Sequence, residues 1–227
     1  MKEMIRRLSE ILFRKQNTTT GYKFVSGDLR SFEGDRPQWT PGVALTYDGE
    51  VIAGFRGFHA SSDLYSVFNN HRVENLCLSD RLFEVEARDV VYCGKRLFAA
   101  NEMTLTREID LKPLSVEYAI GCARHVLPNF ERKYPDDARP REAIKAAEKW
   151  LKEPTEENRI SAWSAANYPW PAGDSAWSAM YAARSTTYAA GYALSAAEYA
   201  ARAAANPAME KKWQANLLEE LVKKHYL

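Results

Sequence analysis

A short turn-like segment carries the side chains best suited to chemistry, namely Gly57-Phe58-His59-Ala60-Ser61-Ser62. It lies where a predicted strand turns toward a short predicted helix, so its backbone N–H groups and hydroxyls could face a ligand. His59 could then act as a general base or donate a hydrogen bond to that ligand. The alternative is a purely structural turn, in which Ser61 or Ser62 caps the helix and His59 satisfies a backbone carbonyl. We favour the structural alternative and keep both open.

Four glutamates on predicted strands extend the chemical interpretation; they are Glu84, Glu86, Glu102 and Glu108. Together with Tyr22-Lys23 and the Gly57 turn, a glutamate at a strand end resembles an ADP-ribosyltransferase site, in which such residues grip NAD. An enzyme of this kind would use His59 and Glu102 catalytically. Its ligand contacts would be Tyr22, Lys23, Gly57, Phe58, His59, Ser61 and Ser62. Solvated strand faces also explain all four carboxylates, and we favour that explanation.

No residue pattern predicts a metal site or a resident cofactor. His71, His125 and His225 have no cysteine or carboxylate at metal-ligand spacing. The sequence has no Walker, GxGxxG or GxSxG motif, so NAD or a nucleotide is considered only as a ligand. The three cysteines fall at irregular spacings without a CxxC pair, which predicts free thiols in a reducing cytosol.

Charge and hydropathy exclude several function classes. The 227 residues include 31 basic and 30 acidic side chains, a net charge of +1. A binder that holds a polyanion by bulk charge needs a strong basic excess, so no nucleic-acid polymer is expected as a direct partner. An acidic DNA mimic is excluded by the same balance. No apolar run is long enough for a signal peptide or a membrane span, so we expect a cytoplasmic location and no membrane partner.

Two features could meet a protein partner. The first is a charged cluster near a predicted helix start, formed by Asp136, Asp137, Arg139 and Arg141. Its structural alternative, which we favour, has the aspartates capping the helix and the arginines pairing with them. The second is Trp170, which lies between two prolines and is expected to be partly exposed. Trp163 and Trp177 are expected to be buried among helices.

The elements that must position these residues fall into three predicted segments. Residues 1–16 form an amphipathic helix, residues 17–113 a small, mostly antiparallel α+β domain, and residues 114–227 an all-α, Ala-rich bundle. Within the second segment, Asp48-Gly49 predicts a hairpin that joins residues 43–47 to residues 51–55. Residues 63–69 predict a short helix with its apolar face inward.

The third segment is helical almost throughout. Ser115 is the predicted N-cap of its first helix, Pro128 should kink or end that helix, and a second helix is predicted over residues 139–152. A longer helix is predicted from Asp174 to Asn206, roughly 45 Å if unbroken. Aromatic residues recur on one face of it at spacings of 4, 7, 4 and 7; they are Trp177, Tyr181, Tyr188, Tyr192 and Tyr199. Because this helix is weakly polar all round, we expect it to be central, with a bend or a close crossing at Gly191.

Residues 122–144, CARHVLPNFERKYPDDARPREAI, resemble the opening of the Imm5-like putative immunity proteins. The resemblance covers about residues 115–225 and implies an all-α, toxin-neutralising domain found in bacterial and phage proteins. The N-terminal half resembles an uncharacterised phage and prophage family through its Tyr-Lys strand, its Gly57-Phe58-His59 turn and its Val85-Glu86-Ala87 strand. That family often has a cysteine after the histidine, where this chain has Ala60 and Ser61.

These observations favour a phage or mobile-element protein of the immunity or anti-defence type. It would inactivate a bacterial partner by stoichiometric binding, and the target would be a host immune effector, a toxin or a nucleotide signal. One alternative is a transferase or hydrolase that acts on NAD or a nucleotide at the Gly57 turn. Another is a structural phage protein. A homo-oligomer is compatible with each of these functions.

Overall fold

The computed structural model describes residues 18–32, 36–68, 80–167 and 173–226. They divide into two compact units, one from the described parts of residues 1–63 and 82–108 and one from those of residues 64–81 and 109–227. The first unit is built on antiparallel strands and the second on helices, which confirms the predicted α+β class. The predicted helix over residues 1–16 lies outside the described residues, and the boundary at residue 113 stays a prediction.

The strands of the described chain form one sheet. They are β1 (Thr19–Val25), β2 (Leu45–Thr46), β3 (Phe58–Ser61), β4 (Arg81–Cys93) and β5 (Leu97–Ile109). Their order is β2-β5-β3-β1-β4, and β4 pairs with β5 as well. Because of this extra pairing, four strands form a closed ring, which we call the circuit: β5, β3, β1 and β4. Strand β2 pairs with β5 outside the circuit.

A cluster of buried side chains fills the inside of this unit. Its large members are Val25, Trp39, Phe58, Phe83, Val85, Phe98, Met103 and Leu105. Trp39 is 1% exposed; its indole N–H donates to the Ser31 hydroxyl at 2.9 Å, and its ring meets Phe58 edge-on at 5.1 Å between centroids. Burying this much aromatic and aliphatic surface is the main stabilising contribution to the unit.

Two sequence predictions in this unit are wrong. Residues 43–47 and 51–55 form no hairpin, because β2 pairs with β5, where Thr46 lies opposite Glu102. Ile52 forms only an isolated bridge with Arg56. The predicted turn over residues 57–62 is largely strand β3, which pairs with β5 so that His59 lies opposite Ala99.

The helical unit contains α1 (Leu64–Phe68), α2 (Leu111–Lys133), α3 (Arg139–Lys152), α4 (Glu156–Ala165), α5 (Asp174–Ala203) and α6 (Pro207–Tyr226). Helix α3 has the predicted bounds. The predicted N-cap of α2 is wrong, because Ser115 is fully buried inside the helix and Asp110 caps it by accepting the backbone N–H of Lys112. Pro128 does not end α2, which continues to Lys133.

Helix α5 packs against α2, α3, α4 and α6, which confirms its central position. It is not a straight rod. Ser178 and Ala196 would be about 27 Å apart in a straight helix, yet the Ser178 hydroxyl donates to the Ala196 carbonyl oxygen at 2.8 Å. The chain therefore reverses direction inside α5, close to the predicted bend at Gly191. The parts of α5 before and after this reversal, which we call its two arms, face each other.

None of the helices in the described part of the chain is both long and apolar enough to cross a membrane.

Candidate functional site

His59 supports a loop in the structure. Its Nε2 atom accepts the backbone N–H of Gly54 at 3.0 Å. A ring nitrogen that accepts a hydrogen bond carries no proton, so this contact is made by the tautomer that is protonated on Nδ1. The structural alternative gave His59 a backbone carbonyl as its partner; the contact seen here is with a backbone N–H group, and the carbonyl stays a prediction.

The structure brings several predicted ligand residues together on strands β1 and β3. Tyr22 lies opposite Ser61, and Lys23 donates from Nζ to the His59 carbonyl oxygen at 2.8 Å. The Lys23 ammonium also lies 5.7 Å from the centre of the Trp39 ring. The strands approach closely here: a Cβ atom on Gly21 would lie 2.5 Å from the Ser61 carbonyl oxygen.

The other predicted ligand residues have structural contacts. Phe58 packs in the core, and Gly57 has a φ of +100°, a left-handed conformation that favours glycine. Ser62 donates both its backbone N–H and its hydroxyl to the Arg96 carbonyl oxygen, at 2.8 and 3.2 Å. It therefore fastens the end of β3, and its capping of α1 stays a prediction.

Three of the four strand glutamates, Glu84, Glu86 and Glu102, face arginines. Glu102 pairs with Arg88 at 3.1 Å, and Glu84 pairs with Arg107 at 3.0 Å. These ion pairs account for the carboxylates as groups on solvated strand faces. Catalytic roles for His59 and Glu102 stay predictions.

The charged loop between α2 and α3 is tied to its own helices. Arg139 donates to both carboxylate oxygens of Asp137, from Nε at 2.8 Å and Nη2 at 2.6 Å, and this bonding lowers the pKa of Asp137. Arg141 pairs with Glu131, not with an aspartate. Asp137 also accepts the backbone N–H of Arg139, whereas Asp136 is exposed at the turn. The second predicted contact, Trp170, lies outside the described residues.

One surface feature of the described helical unit is a set of stacked rings and guanidinium groups. We call it the aromatic–arginine cluster; its members are Trp163, Trp177, Tyr181, Arg184, Tyr188, Tyr192, Tyr199 and Arg202. The Tyr199 ring stacks on Tyr181 at 5.3 Å and on Trp177 at 5.9 Å. These contacts join the two arms of α5.

Two arginines lie over the rings of this cluster. The Arg202 guanidinium is 4.9 Å from the centre of the Tyr199 ring and pairs with Asp174 at 3.1 Å. The Arg184 guanidinium is 5.5 Å from the Trp163 ring and 6.0 Å from the Tyr181 ring. Burial, reinforced by neighbouring Tyr199, raises the pKa of Tyr181. The cluster combines flat apolar faces with cations, the combination that protein interfaces favour.

The cluster is accessible, which sequence reasoning missed. Trp177 is 36% exposed and Tyr188 is 48% exposed. The 4, 7, 4, 7 spacing correctly placed the aromatic residues on one face, but burial of Trp177 was the wrong prediction. The reversal inside α5 gathers rings from both arms on the same side, and alanines from both arms fill the core beneath.

A buried polar network lies elsewhere in the same unit. Glu210 on α6 is 4% exposed, and its carboxylate accepts from Gln214 at 3.1 Å and pairs with Nδ1 of His125 on α2 at 2.7 Å. The His125 ring stacks on Trp213 at 3.9 Å. Gln214 also donates to the Ala197 carbonyl oxygen. The network therefore connects α2, α5 and α6.

A family model described as "Imm-5 like putative immunity protein" matches residues 108–221, half of the chain. The match confirms the resemblance drawn from residues 122–144, and its range contains both the charged loop and the aromatic–arginine cluster. No curated protein and no solved structure matches the chain. The resemblance of the N-terminal half to a phage family stays a prediction.

Proposed function

The chain belongs to the Imm-5 like family of putative immunity proteins, and from this membership we propose that it inactivates a partner protein by stoichiometric binding. The target would be a bacterial toxin or a host immune effector, and a phage or another mobile element would be the source of the gene. The observation that carries the proposal is the exposed aromatic–arginine cluster inside the matched residues.

The composition of the cluster supports a protein target. Tryptophan, tyrosine and arginine are the residues that most often dominate the free energy of protein–protein binding. Stacking between Trp177, Tyr199 and Tyr181 holds the rings in place before binding, so little conformational entropy is lost when a partner covers them. We assign the charged loop at Asp136, Asp137, Arg139 and Arg141 to the rim of the same interface, where exposed charges steer association.

The alternative function is transfer or hydrolysis that acts on NAD or a nucleotide at Tyr22, Lys23 and His59. The Nε2 atom of His59 already accepts from Gly54, and Glu102 already pairs with Arg88. A general base needs an available lone pair and a catalytic glutamate needs access to substrate. These contacts favour binding over turnover.

The experiment uses the tagged 227-residue chain as bait in a bacterial lysate, with quantitative mass spectrometry of the eluate. The captured protein is then purified, and titration calorimetry gives its Kd and stoichiometry. We expect one partner per chain, and a Kd weakened about tenfold or more by Trp177→Ala or Tyr188→Ala. Met209→Ala is the matched control, because Met209 is a 62% exposed apolar residue on α6. Absence of a stoichiometric partner, or an equal effect of the control, would contradict the proposal.

A further inference from the structure

The connection between β2 and β3 holds a phenylalanine almost entirely in solvent. Phe55 is 85% exposed, more than any other large apolar side chain among the described residues. Ile52, three positions earlier in the same turn, is 38% exposed. The turn lies outside the residues matched by the family model.

This turn is held by its own hydrogen bonds. The Ile52 carbonyl oxygen accepts the backbone N–H groups of Phe55 and Arg56, at 2.9 and 2.8 Å, and Ile52 donates back to the Arg56 carbonyl oxygen at 3.1 Å. Gly54 has a φ of +85°, a left-handed conformation that glycine adopts readily.

The bond from the Gly54 N–H to Nε2 of His59 then fixes the turn to strand β3. His59 sits on a paired strand, so it gives the turn a rigid support. Phe55 is thereby displayed on an ordered backbone.

At this position the backbone is ordered but the Phe55 side chain is exposed, and this combination is unfavourable to the free energy of folding. Fixing a backbone segment costs conformational entropy, which the burial of apolar side chains usually offsets. Here the segment is ordered, yet Phe55 gains little from burial within the chain. A partner that covers Phe55 would bury this side chain. Little further conformational entropy would be lost on binding, because the turn is already ordered.

We propose that the Ile52–Arg56 turn is a second binding element, in which Phe55 enters an apolar pocket of the partner protein and His59 is the positioning residue. This inference rests on the proposed function, because it assigns the turn to the same kind of partner. Exposed charged residues flank the apolar tip in the sequence, with Asp48 and Glu50 before it and Arg56 after it. An apolar anchor inside a charged rim is the usual arrangement at a protein interface, and the two carboxylates disfavour an anionic bilayer as the occupant.

The experiment compares the purified partner's Kd for the wild-type chain and four variants. Phe55→Ala is expected to weaken binding by about 10- to 100-fold. Phe32→Ala is the control, because Phe32 is 37% exposed in the same unit but lies outside the turn. His59→Ala is expected to weaken binding and to speed hydrogen exchange at the Gly54 amide. His59→Gln, whose side-chain carbonyl can accept the same N–H, is expected to restore both.

Each outcome decides the inference. A Kd for Phe55→Ala within twofold of the wild-type value overturns it and leaves the proposed function intact. A wild-type chain with no stoichiometric partner overturns both. Phe55-dependent cosedimentation with mixed phosphatidylcholine–phosphatidylglycerol vesicles would identify a membrane as the occupant, and a Phe55-dependent dimer in light scattering would identify a second copy. Either of these results overturns the inference.

Discussion

Ser178 and Ala196 are joined by a hydrogen bond of 2.8 Å although they lie 18 positions apart in one helical element. Both residues are fully buried. Because each side chain is small, the two arms of α5 approach closely enough for a hydroxyl to reach a main-chain oxygen. This contact sets how closely the arms pack and keeps the aromatic rings of both arms on one side.

Because the two arms approach closely, a small and a large substitution of Ser178 should lower stability by different amounts. Ser178→Ala removes the hydrogen bond and should lower the free energy of unfolding by about 1 kcal/mol. Ser178→Leu also overpacks the contact and should cost about 1–3 kcal/mol more. Urea unfolding followed by circular dichroism measures both. Exposed Glu198 on the same helix offers the control, since Glu198→Ala should change stability by no more than about 0.5 kcal/mol.

Charge reversal in the loop between α2 and α3 should change association kinetics more than stability. The Arg139 and Arg141 side chains are 47% and 54% exposed, so their ion pairs contribute at most about 1 kcal/mol. As rim charges they should alter the association rate of the partner and its salt dependence. We expect Arg139→Glu with Arg141→Glu to slow association in surface plasmon resonance while the dissociation rate stays nearly constant. A dominant change in dissociation would place these arginines at the centre of the interface.

Glu117 should make stability depend on pH. Burial acts to raise its pKa, but hydrogen bonds from Lys224 at 2.7 Å and His225 at 2.5 Å outweigh burial and lower it. A carboxyl group with a lowered folded-state pKa stabilises the fold above its unfolded pKa, and this contribution disappears as pH falls through the folded pKa. Glu117→Gln should therefore destabilise the protein at pH 7, and the difference should shrink as pH falls below about 4.3. A difference that is the same at pH 7 and pH 3 would contradict the assignment.

The buried carboxylate of Glu210 should make His125 important for folding. His125→Ala removes one of the two described hydrogen-bond partners of that carboxylate and leaves Gln214 as the other. The free energy of unfolding should fall by about 1–3 kcal/mol. Adding Glu210→Leu to this variant should recover part of the loss, because the buried charge is then gone. Thermal unfolding of the single and double variants gives the comparison. If the double variant loses the sum of both single effects, the pair is not coupled.

Two cysteines should differ sharply in reactivity. Cys122 is fully buried, and burial raises the pKa of its thiol, so almost no thiolate forms at pH 8. Cys93 is exposed at the end of β4. Alkylation of the native protein with iodoacetamide, resolved by peptide mass spectrometry, should label Cys93 long before Cys122. Equal rates under native conditions would show that the helical unit opens readily.

The fold class and most helices could be predicted because periodic apolar residues report burial directly. The bounds of α3 follow from such a pattern, and the buried face of α1, Leu64, Val67 and Phe68, was predicted correctly. Strand pairing was harder. Asp48-Gly49 favours a local hairpin, but β5 supplies the backbone partners of β2 from more than fifty residues away, and local residue types do not encode that choice.

The candidate site was harder still to predict. The aromatic spacing on α5 identified a shared face, but a face is exposed or buried only according to what packs on it, and that depends on where the chain reverses. The Phe55 turn carries no sequence signal of its exposure, since an apolar residue in a short run usually predicts burial. His59 was singled out for its chemistry, and its bond to Gly54 became visible only in three dimensions.

The circuit of strands β5, β3, β1 and β4 leaves few backbone groups for a foreign strand to join. In the described sheet, the one strand attached outside this circuit, β2, is two residues long. Long open edges are templates for aggregation, and short or closed ones suppress it. The protein therefore combines exposed apolar side chains, those of Phe55 and the aromatic–arginine cluster, with a sheet whose edges disfavour polymerisation by strand addition. Its associations would be limited to surfaces that fit those side chains.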